Sequence, residues 1–170
     1  MLLSSCGSGV NSDETVTPRA SSSDGGSTQE RKMAALTRGH SQQKRSSLVW
    51  DSRLSKVARA RAQDMAKRGY FSHVDPDGRG PNWHVTQSGY RLPIKWTAFD
   101  KANQIESILA GYATAEGAFK YWLESPKHAT HLLARSPFYQ EQTRYGIGYA
   151  HVPNSQLTHY WVFLSAPPES

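Results

Sequence analysis

The amino-acid sequence predicts an α+β domain, because helical patterns come first along the chain and strand patterns come last. Apolar residues recur at helical spacing between residues 52 and 69 and again between residues 114 and 123. Two short runs at residues 145–150 and 160–164 are rich in aromatic and aliphatic side chains, as strands are. The turn composition of Pro153-Asn154-Ser155 between them predicts an antiparallel hairpin.

Two helices are predicted in the first part of the chain. The first spans residues 28 to about 41 and has a Ser or Thr cap at its start. The second follows a cap at Asp51 or Ser52 and ends at Gly69. The stripe that this second helix must bury consists of Leu54, Val57, Ala58, Arg61, Ala62, Met65 and Ala66.

Residues 71–101 are predicted to form a long loop region. They are rich in Gly and Pro and include the turn sequence Asp75-Pro76-Asp77-Gly78. Loops of this length in a compact domain are usually functional. We therefore expect ligand contacts from loop aromatics, and a core position for those on periodic elements. The loop aromatics are Trp83, Trp96, Phe99, Tyr112, Phe138 and Tyr139, and the core aromatics are Trp122, Trp161 and Phe163.

Two further helices are predicted after the loop region. One starts near Thr114, whose hydroxyl can cap it, and places Phe119 and Trp122 on its apolar face. At Ser125-Pro126 a new helix begins, because Ser caps well and Pro fits the first helical turn, and it runs to Leu133.

Composition limits the function classes. The chain of 170 residues is long enough for one domain, and its single cysteine rules out an internal disulfide or a cysteine-based zinc cluster. No run approaches the roughly 18 apolar residues of a membrane span. Residues 1–30 carry one basic and four acidic side chains, a net charge of −3, so the remaining residues carry +9 within the total of +6. A basic domain favours polyanionic partners as a class.

The N-terminal segment resembles a lipidation signal. The string Leu3-Ser4-Ser5-Cys6-Gly7 is similar to a bacterial lipobox, in which acyl chains are attached to the cysteine. Only three residues precede the serines, so either the basic and apolar parts of the signal lie upstream or the match is chance. Residues 7–29 are rich in Ser, Gly, Thr and Asp, which predicts a flexible tether.

These features predict the organisation and location of the protein. We assign residues 1–30 to a truncated lipobox-like start and a disordered tether, and residues 31–170 to one domain. Acyl chains on Cys6 would anchor the domain peripherally at a membrane. The protein is accordingly expected to be secreted or held at the cell envelope, as a monomer.

Several motifs recur in a characteristic order along residues 31–166. They are Leu48-Val-Trp-Asp-Ser-Arg-Leu54, Gly69-Tyr-Phe-Ser-His73, Ile105-Glu-Ser107, Trp122-Leu-Glu-Ser-Pro-Lys-His128 and Tyr145-Gly-Ile-Gly148. In this order they resemble the bacterial branch of the CAP superfamily, the SCP-like domains of cysteine-rich secretory, antigen 5 and pathogenesis-related 1 proteins. The resemblance implies a three-layer α-β-α sandwich with a central antiparallel sheet.

The same resemblance implies a cleft lined by histidines and glutamates. His73 and His128 match the two family histidines, and Glu106 matches the glutamate of a Gly-Glu-Asn motif that here reads Ile-Glu-Ser. The second family glutamate is replaced by Ser125, with Glu124 one position early. Some relatives hold a divalent metal in this cleft. Imidazole and carboxylate ligands suit zinc, so we expect His73 and His128 as candidate ligands.

Three functions are consistent with these residues. The favoured one is a non-catalytic envelope module that binds a lipid, a cell-wall fragment or a protein in the cleft. The alternative is a metal-dependent, peptidase-like hydrolase that uses His73, Glu106 and His128, with Glu124 as base. No Gly-x-Ser-x-Gly elbow is present, and Cys6 lies in the tether, so an activated nucleophile is lacking. Nucleic-acid binding is not expected, since the basic residues of the second helix are typical of a solvated face. Salt-dependent DNA binding would have to use Arg53, Lys56, Arg59 and Lys67.

Overall fold

The computed structural model of the chain describes residues 25–169. Its helices are α1 (Thr28–Gly39), α2 (Ser52–Arg68), α3 (Pro81–Gln87), α4 (Ala115–Glu124), α5 (Pro126–Leu132) and α6 (Pro137–Gln140), with a 3₁₀ turn at Ile94–Trp96. Its strands are β1 (Val49–Trp50), β2 (Glu106–Ala110), β3 (Arg144–His151) and β4 (His159–Ala166). None of these helices is both long and apolar enough to cross a bilayer.

Local capping signals define the ends of the long helices. At α1, Ser27 Oγ accepts from the Glu30 amide at 3.2 Å while the Glu30 carboxylate accepts from the Ser27 amide at 2.7 Å, a complete capping box. The Asp51 carboxylate accepts from two amides in the first turn of α2, and Gly69 ends that helix at φ 67°. The predicted positions of α1, α2, α4 and α5 are therefore confirmed.

The sheet has the strand order β1-β3-β4-β2. Strands β3 and β4 form the predicted antiparallel hairpin, in which Ile147 lies opposite Phe163. Strand β2 adds antiparallel to β4, and the two-residue β1 adds parallel to β3. The sequence did not reveal β1 or β2, since β1 is too short for alternation and β2 begins with Glu106 and Ser107.

Helices cover both faces of this sheet. Successive residues of β4 point to opposite faces, so Val162 and Leu164 pack in the cluster that contains Leu54 and Met65 of α2. Trp161 and Phe163 pack in the other cluster, together with residues of α1, α4 and α5. Trp122, Trp161 and Phe163 are all buried, as expected. The predicted α+β class and three-layer α-β-α arrangement are confirmed.

Two glycines let α2 lie directly on β3. A Cβ atom at Gly146 would lie 2.2 Å from the backbone nitrogen of Ser55, and one at Gly148 would lie 2.1 Å from the carbonyl carbon of Ala58. Such distances cannot be accommodated by side-chain movement, because both contacts are to helix backbone. The Gly-Ile-Gly sequence of β3 therefore sets the depth at which α2 docks on the sheet.

Three expectations are revised or left outside the described residues. The region 71–101 is not loop throughout, since it contains α3 and the 3₁₀ turn, which are too short to give a helical period. Helix α1 begins at Thr28, just before the predicted domain boundary. The lipobox string with Cys6, and most of the proposed tether, lie outside residues 25–169.

The glycine contact predicts a large effect of one methyl group. We expect Gly148→Ala to lower the free energy of unfolding by about 3 kcal/mol, because α2 must move away from the sheet. Gly39→Ala is the matched control, since a Cβ there meets nothing within 4 Å. Urea unfolding followed by circular dichroism measures both. Equal stability of the two variants would contradict the proposed contact.

Candidate functional site

The candidate site is a cleft along the outer edge of β2. This strand pairs with β4 on one side and is the last strand of the sheet on the other. The indole Nε1 of Trp122 donates to the carbonyl oxygen of Ile108 at 3.2 Å and covers part of that edge. A cavity of about 320 Å³ lies there. It is lined by Phe71, Ile108, Leu109, Ala110, Tyr112, Tyr121, His128 and Leu157.

Glu106, the first residue of β2, has a fully buried carboxylate. Its Oε1 lies 2.9 Å from Nδ1 of His73, and its Oε2 accepts from Nε of Arg61 at 3.3 Å. The Asn103 side chain accepts from the Glu106 amide at 2.9 Å. Both carboxylate oxygens are thus engaged by cationic or polar nitrogen donors of the protein itself.

Arg61 comes from the apolar stripe of α2 and is only 2% exposed. Its Nη1 donates to the Tyr70 hydroxyl at 2.7 Å, and its Nη2 donates to the carbonyl oxygens of Ser72 and His73 at 3.1 and 2.9 Å. Burial lowers the pKa of Arg61, but the charge and hydrogen bonds of Glu106 and Tyr70 outweigh it, so the pKa is raised. This guanidinium therefore stays charged and holds the loop that carries His73.

His128 lies on α5 and lines the cleft from the other side. Its Nδ1 is buried and has no hydrogen-bond partner among residues 25–169. Burial lowers the pKa of His128, and the charge of His73 lowers it further. A second cavity of about 240 Å³ is lined by His128 together with Tyr121, Glu124 and Ser125.

The structure thus brings the four predicted cleft residues to one region. His73 and Glu106 are in direct contact, and His128 lies within electrostatic reach of His73. Glu124, the last residue of α4, shares the smaller cavity with His128 although it lies one position before the family glutamate. Tyr112 also lines the cleft, whereas Trp96 is buried in the core and Phe99 and Phe138 are exposed elsewhere.

These residues do not fit a three-ligand metal centre. Within residues 25–169 no three His, Cys, Asp or Glu side chains are placed to hold one ion. Glu106 has both oxygens committed to Arg61 and His73, so a metal would have to displace a buried ion pair. Zinc binding by His73 and His128 stays a prediction.

Sequence reasoning missed the role of Arg61, although a signal was present. An arginine within an otherwise apolar helical stripe must be buried with a partner, because an unpaired buried charge is very costly. The partner lies 45 positions away at Glu106, so spacing could not identify it. The sequence also did not reveal the pair formed by His84 Nε2 and Asp75 Oδ2 at 2.8 Å, which fixes α3 to the turn at residues 75–79.

His131 is fully buried on the opposite face of β2 from Glu106. Its Nδ1 lies 2.7 Å from Ser107 Oγ, and its Nε2 lies 2.8 Å from Ser165 Oγ. Ser165 donates its own proton to Gln142 Oε1, so its oxygen accepts from His131 Nε2. His131 is therefore a neutral structural residue, unlike its neighbour on α5, His128.

Two larger cavities, of about 650 and 630 Å³, lie away from the histidine cleft. The first lies between α2 and α3, and Arg61 is one of its lining residues. The second is lined largely by residues 89–94 and by Pro167 and Pro168. Arg53, which lines the first of them, is paired with Glu169. The cleft at β2 is the stronger candidate because it combines apolar walls with His128, whose buried Nδ1 has no hydrogen-bond partner among residues 25–169.

A three-layer domain that carries His73, Glu106 and His128 near a cleft at its sheet edge has the architecture of the SCP-like class. The model of the cysteine-rich secretory protein family, CAP, matches residues 28–165. The chain belongs to this family, and the predicted resemblance is confirmed.

Individual relatives agree with this assignment. The Bacillus subtilis (strain 168) protein YkwD, described as uncharacterised, is 31% identical over 121 residues, which cover 71% of this chain and 42% of that protein. The chain therefore spans about two fifths of the length of this relative.

Solved structures with the same fold come from two other bacteria. An extracellular protein containing an SCP domain from Bacillus anthracis strain Ames has a TM-score of 0.63 at 20% identity, covering 82% of this chain and 40% of that one. An outer surface protein from Borrelia burgdorferi has a TM-score of 0.60 at 16% identity, covering 82% and 91%. At these identities the likeness establishes the fold.

Removing the charge of Glu106 is expected to destabilise the domain. Glu106→Gln leaves the buried Arg61 guanidinium without its counter-charge, which costs about 3 to 5 kcal/mol of unfolding free energy. Glu116→Gln is the control, because Glu116 pairs with Lys32 on the exposed surface. Chemical denaturation should show a large loss for the first variant only. An unchanged midpoint for Glu106→Gln would mean that the ion pair has no structural role.

Buried histidines predict a loss of stability in acid. Burial first, and then the charge of Arg45, lowers the pKa of His131 well below 6.5. Below about pH 6.5 the unfolded chain binds a proton there and the folded chain does not. The unfolding free energy should therefore decrease as the pH is lowered, by up to about 1.4 kcal/mol per pH unit for this residue. The lowered pKa values of His84, His128 and His159 act in the same direction.

The contribution of His131 can be isolated by comparing slopes. The unfolding free energy of His131→Asn should decrease less steeply between pH 6.5 and 4.5 than that of the wild type. The difference in slope corresponds to one proton. The measurement is the urea midpoint at several pH values for both proteins. Parallel curves for the wild type and the variant would show that His131 is not the titrating group.

Proposed function

We propose that this CAP domain is a non-catalytic binding module that takes a lipid-like ligand in the cleft at β2. The observation that carries the proposal is the cavity of about 320 Å³, whose walls are aliphatic and aromatic apart from His128. Cavities of this size and composition suit a small apolar molecule with one polar group. An acyl chain against the walls, with its headgroup near His128, meets that description.

Two side chains at the cleft support ligand binding. Phe71 is 46% exposed and Tyr121 is 45% exposed, and both line the cavity. Large apolar side chains that remain exposed beside a hollow commonly mark a binding surface. Tyr121 packs against Tyr112 with ring centroids 4.9 Å apart, which makes one wall of the cleft a rigid aromatic surface.

The state of Glu106 favours binding over hydrolysis. A general base must reach the proton it abstracts, or a water molecule, with a free oxygen. Both oxygens of Glu106 already contact Arg61 and His73, and the carboxylate is fully buried. Of the two predicted carboxylates, Glu124 is the exposed one, and it lines the smaller neighbouring cavity rather than the cleft. The hydrolase alternative therefore has less support than the binding module.

We place the module outside the cytoplasm, at the envelope or secreted. The similar proteins from Bacillus anthracis and Borrelia burgdorferi are described as extracellular and outer surface proteins, respectively. The lipobox-like string at Cys6 and the Ser- and Gly-rich segment after it agree with export and a membrane anchor. Peripheral anchoring would hold the cleft close to lipids, which are ligands of the proposed class.

Binding of a fluorescent fatty acid such as cis-parinaric acid tests the proposal. Truncating an apolar wall residue removes about 1.5 to 3 kcal/mol of favourable contact, so Phe71→Ser and Tyr121→Ser should each weaken binding roughly ten- to hundredfold. Phe138→Ser is the matched control, because Phe138 is 41% exposed but does not line the cleft. Fluorescence titration of the four proteins gives the affinities.

The outcomes separate the ligand classes. Equal affinity of all four proteins for the fatty acid would contradict a lipid site in the cleft. Displacement of the probe by a cell-wall glycan fragment, but not by unlabelled palmitate, would replace the lipid by a saccharide ligand. Hydrolysis of an ester or peptide that is lost in Glu124→Gln would overturn the non-catalytic assignment.

A further inference from the structure

A pair of histidines lies at the turn end of the β3–β4 hairpin. His151 and His159 are directly opposite each other in the strand register. Their rings are stacked, with centroids 4.6 Å apart and planes 12° from parallel. His151 is exposed and His159 is partly exposed, so both imidazoles can be reached from solvent. Neither residue belongs to the cleft described above.

A hydrogen bond with Tyr149 holds the ring of His159. The Tyr149 hydroxyl lies 2.8 Å from His159 Nδ1 and 3.4 Å from the carbonyl oxygen of Ala113. With Nδ1 engaged by Tyr149, Nε2 is the nitrogen of His159 that remains for an ion. Metal-binding histidines typically have one ring nitrogen held by such a partner.

The strand register places both imidazoles on the same face of the hairpin, because directly opposite residues of antiparallel strands share a face. Antiparallel strands hold directly opposite side chains at a fixed separation without help from a loop. Rotation of both stacked rings about their side-chain bonds would be required to direct one nitrogen of each toward a common ion. The hairpin therefore presents two neighbouring nitrogen donors.

We propose that His151 and His159 form a two-imidazole binding site for a divalent transition-metal ion. Imidazole nitrogen suits copper, nickel and zinc, and the order of intrinsic affinities places Cu²⁺ first. Within residues 25–169 no third His, Cys, Asp or Glu completes the site, so water occupies the other coordination positions. Such a site is reversible and open, and it binds the ion without burying it.

The alternative is that the two rings only stack to protect the end of the hairpin. Stacking alone does not require that both rings be solvent accessible. The two explanations differ in one measurable respect, since only a metal site makes the affinity for an ion depend on both rings. The test therefore compares single-histidine variants.

Titration of the full chain with Cu²⁺ tests the site. The parent protein carries Cys6→Ser so that the thiol neither reduces nor binds copper. His151→Ala and His159→Ala should each weaken the tightest Cu²⁺ binding about ten- to hundredfold, and Tyr149→Phe should weaken it by a smaller factor. His40→Ala is the control, because His40 is a partly exposed histidine at the end of α1, outside the hairpin. Calorimetry gives the affinities, and electron paramagnetic resonance gives the number of coordinated nitrogens.

Each outcome decides the proposal. Two coordinated nitrogens in the parent protein, and one in each single-histidine variant, would support it. Unchanged Cu²⁺ affinity in both His151→Ala and His159→Ala would overturn it. A His73→Ala/His128→Ala double variant tells the hairpin from the cleft, since loss of the tightest site in that protein would assign the ion to the cleft instead. Circular dichroism of every variant verifies that the fold is retained.

Discussion

The cleft of this domain depends on the buried ion pair between Arg61 and Glu106. A charge in the apolar stripe of α2 is tolerated only with a compensating carboxylate and with its remaining donors satisfied. Glu106 supplies the charge at 3.3 Å, and the carbonyl oxygens of Ser72 and His73 accept from Nη2. One side chain thus connects α2, the loop after it and the edge strand β2. The loop and β2 both contribute residues to the cleft, so this connection holds two parts of its wall together.

The same interaction determines which chemistry the cleft offers. A family glutamate in a histidine cleft suggests a base or a metal ligand, but here the carboxylate is enclosed by Arg61 and His73. Glu106 acts as a positioning residue. The surface that the cleft offers to a ligand is formed mainly by aromatic and aliphatic side chains. The two histidines of α5 show the same dependence on surroundings: His128 lines the cleft, whereas His131 is enclosed between Ser107 and Ser165.

Close packing of α2 on the sheet is what brings Arg61 to its partner. Gly146 and Gly148 allow the helix backbone to lie against β3, so the helix sits deep enough for a short-range ion pair with β2. The fold shared with two solved structures at 16% and 20% identity indicates a scaffold that tolerates wide sequence variation. Position 107 is one example of such variation, because this chain has Ser where the family motif Gly-Glu-Asn has Asn. The Ser107 hydroxyl contacts His131 at 2.7 Å.

The sequence by itself determined the elements whose signals are local. The caps at Ser27, Asp51 and Thr114 and the β3–β4 hairpin involve residues a few positions apart, and all lie where they were predicted. The cleft residues were found through motif order, which identifies a family but no contact. Strand β2, the Arg61–Glu106 pair and the His151–His159 pair were decided only by tertiary structure. Each depends on groups that the chain brings together from separate elements or across strands, and no local pattern encodes such distances.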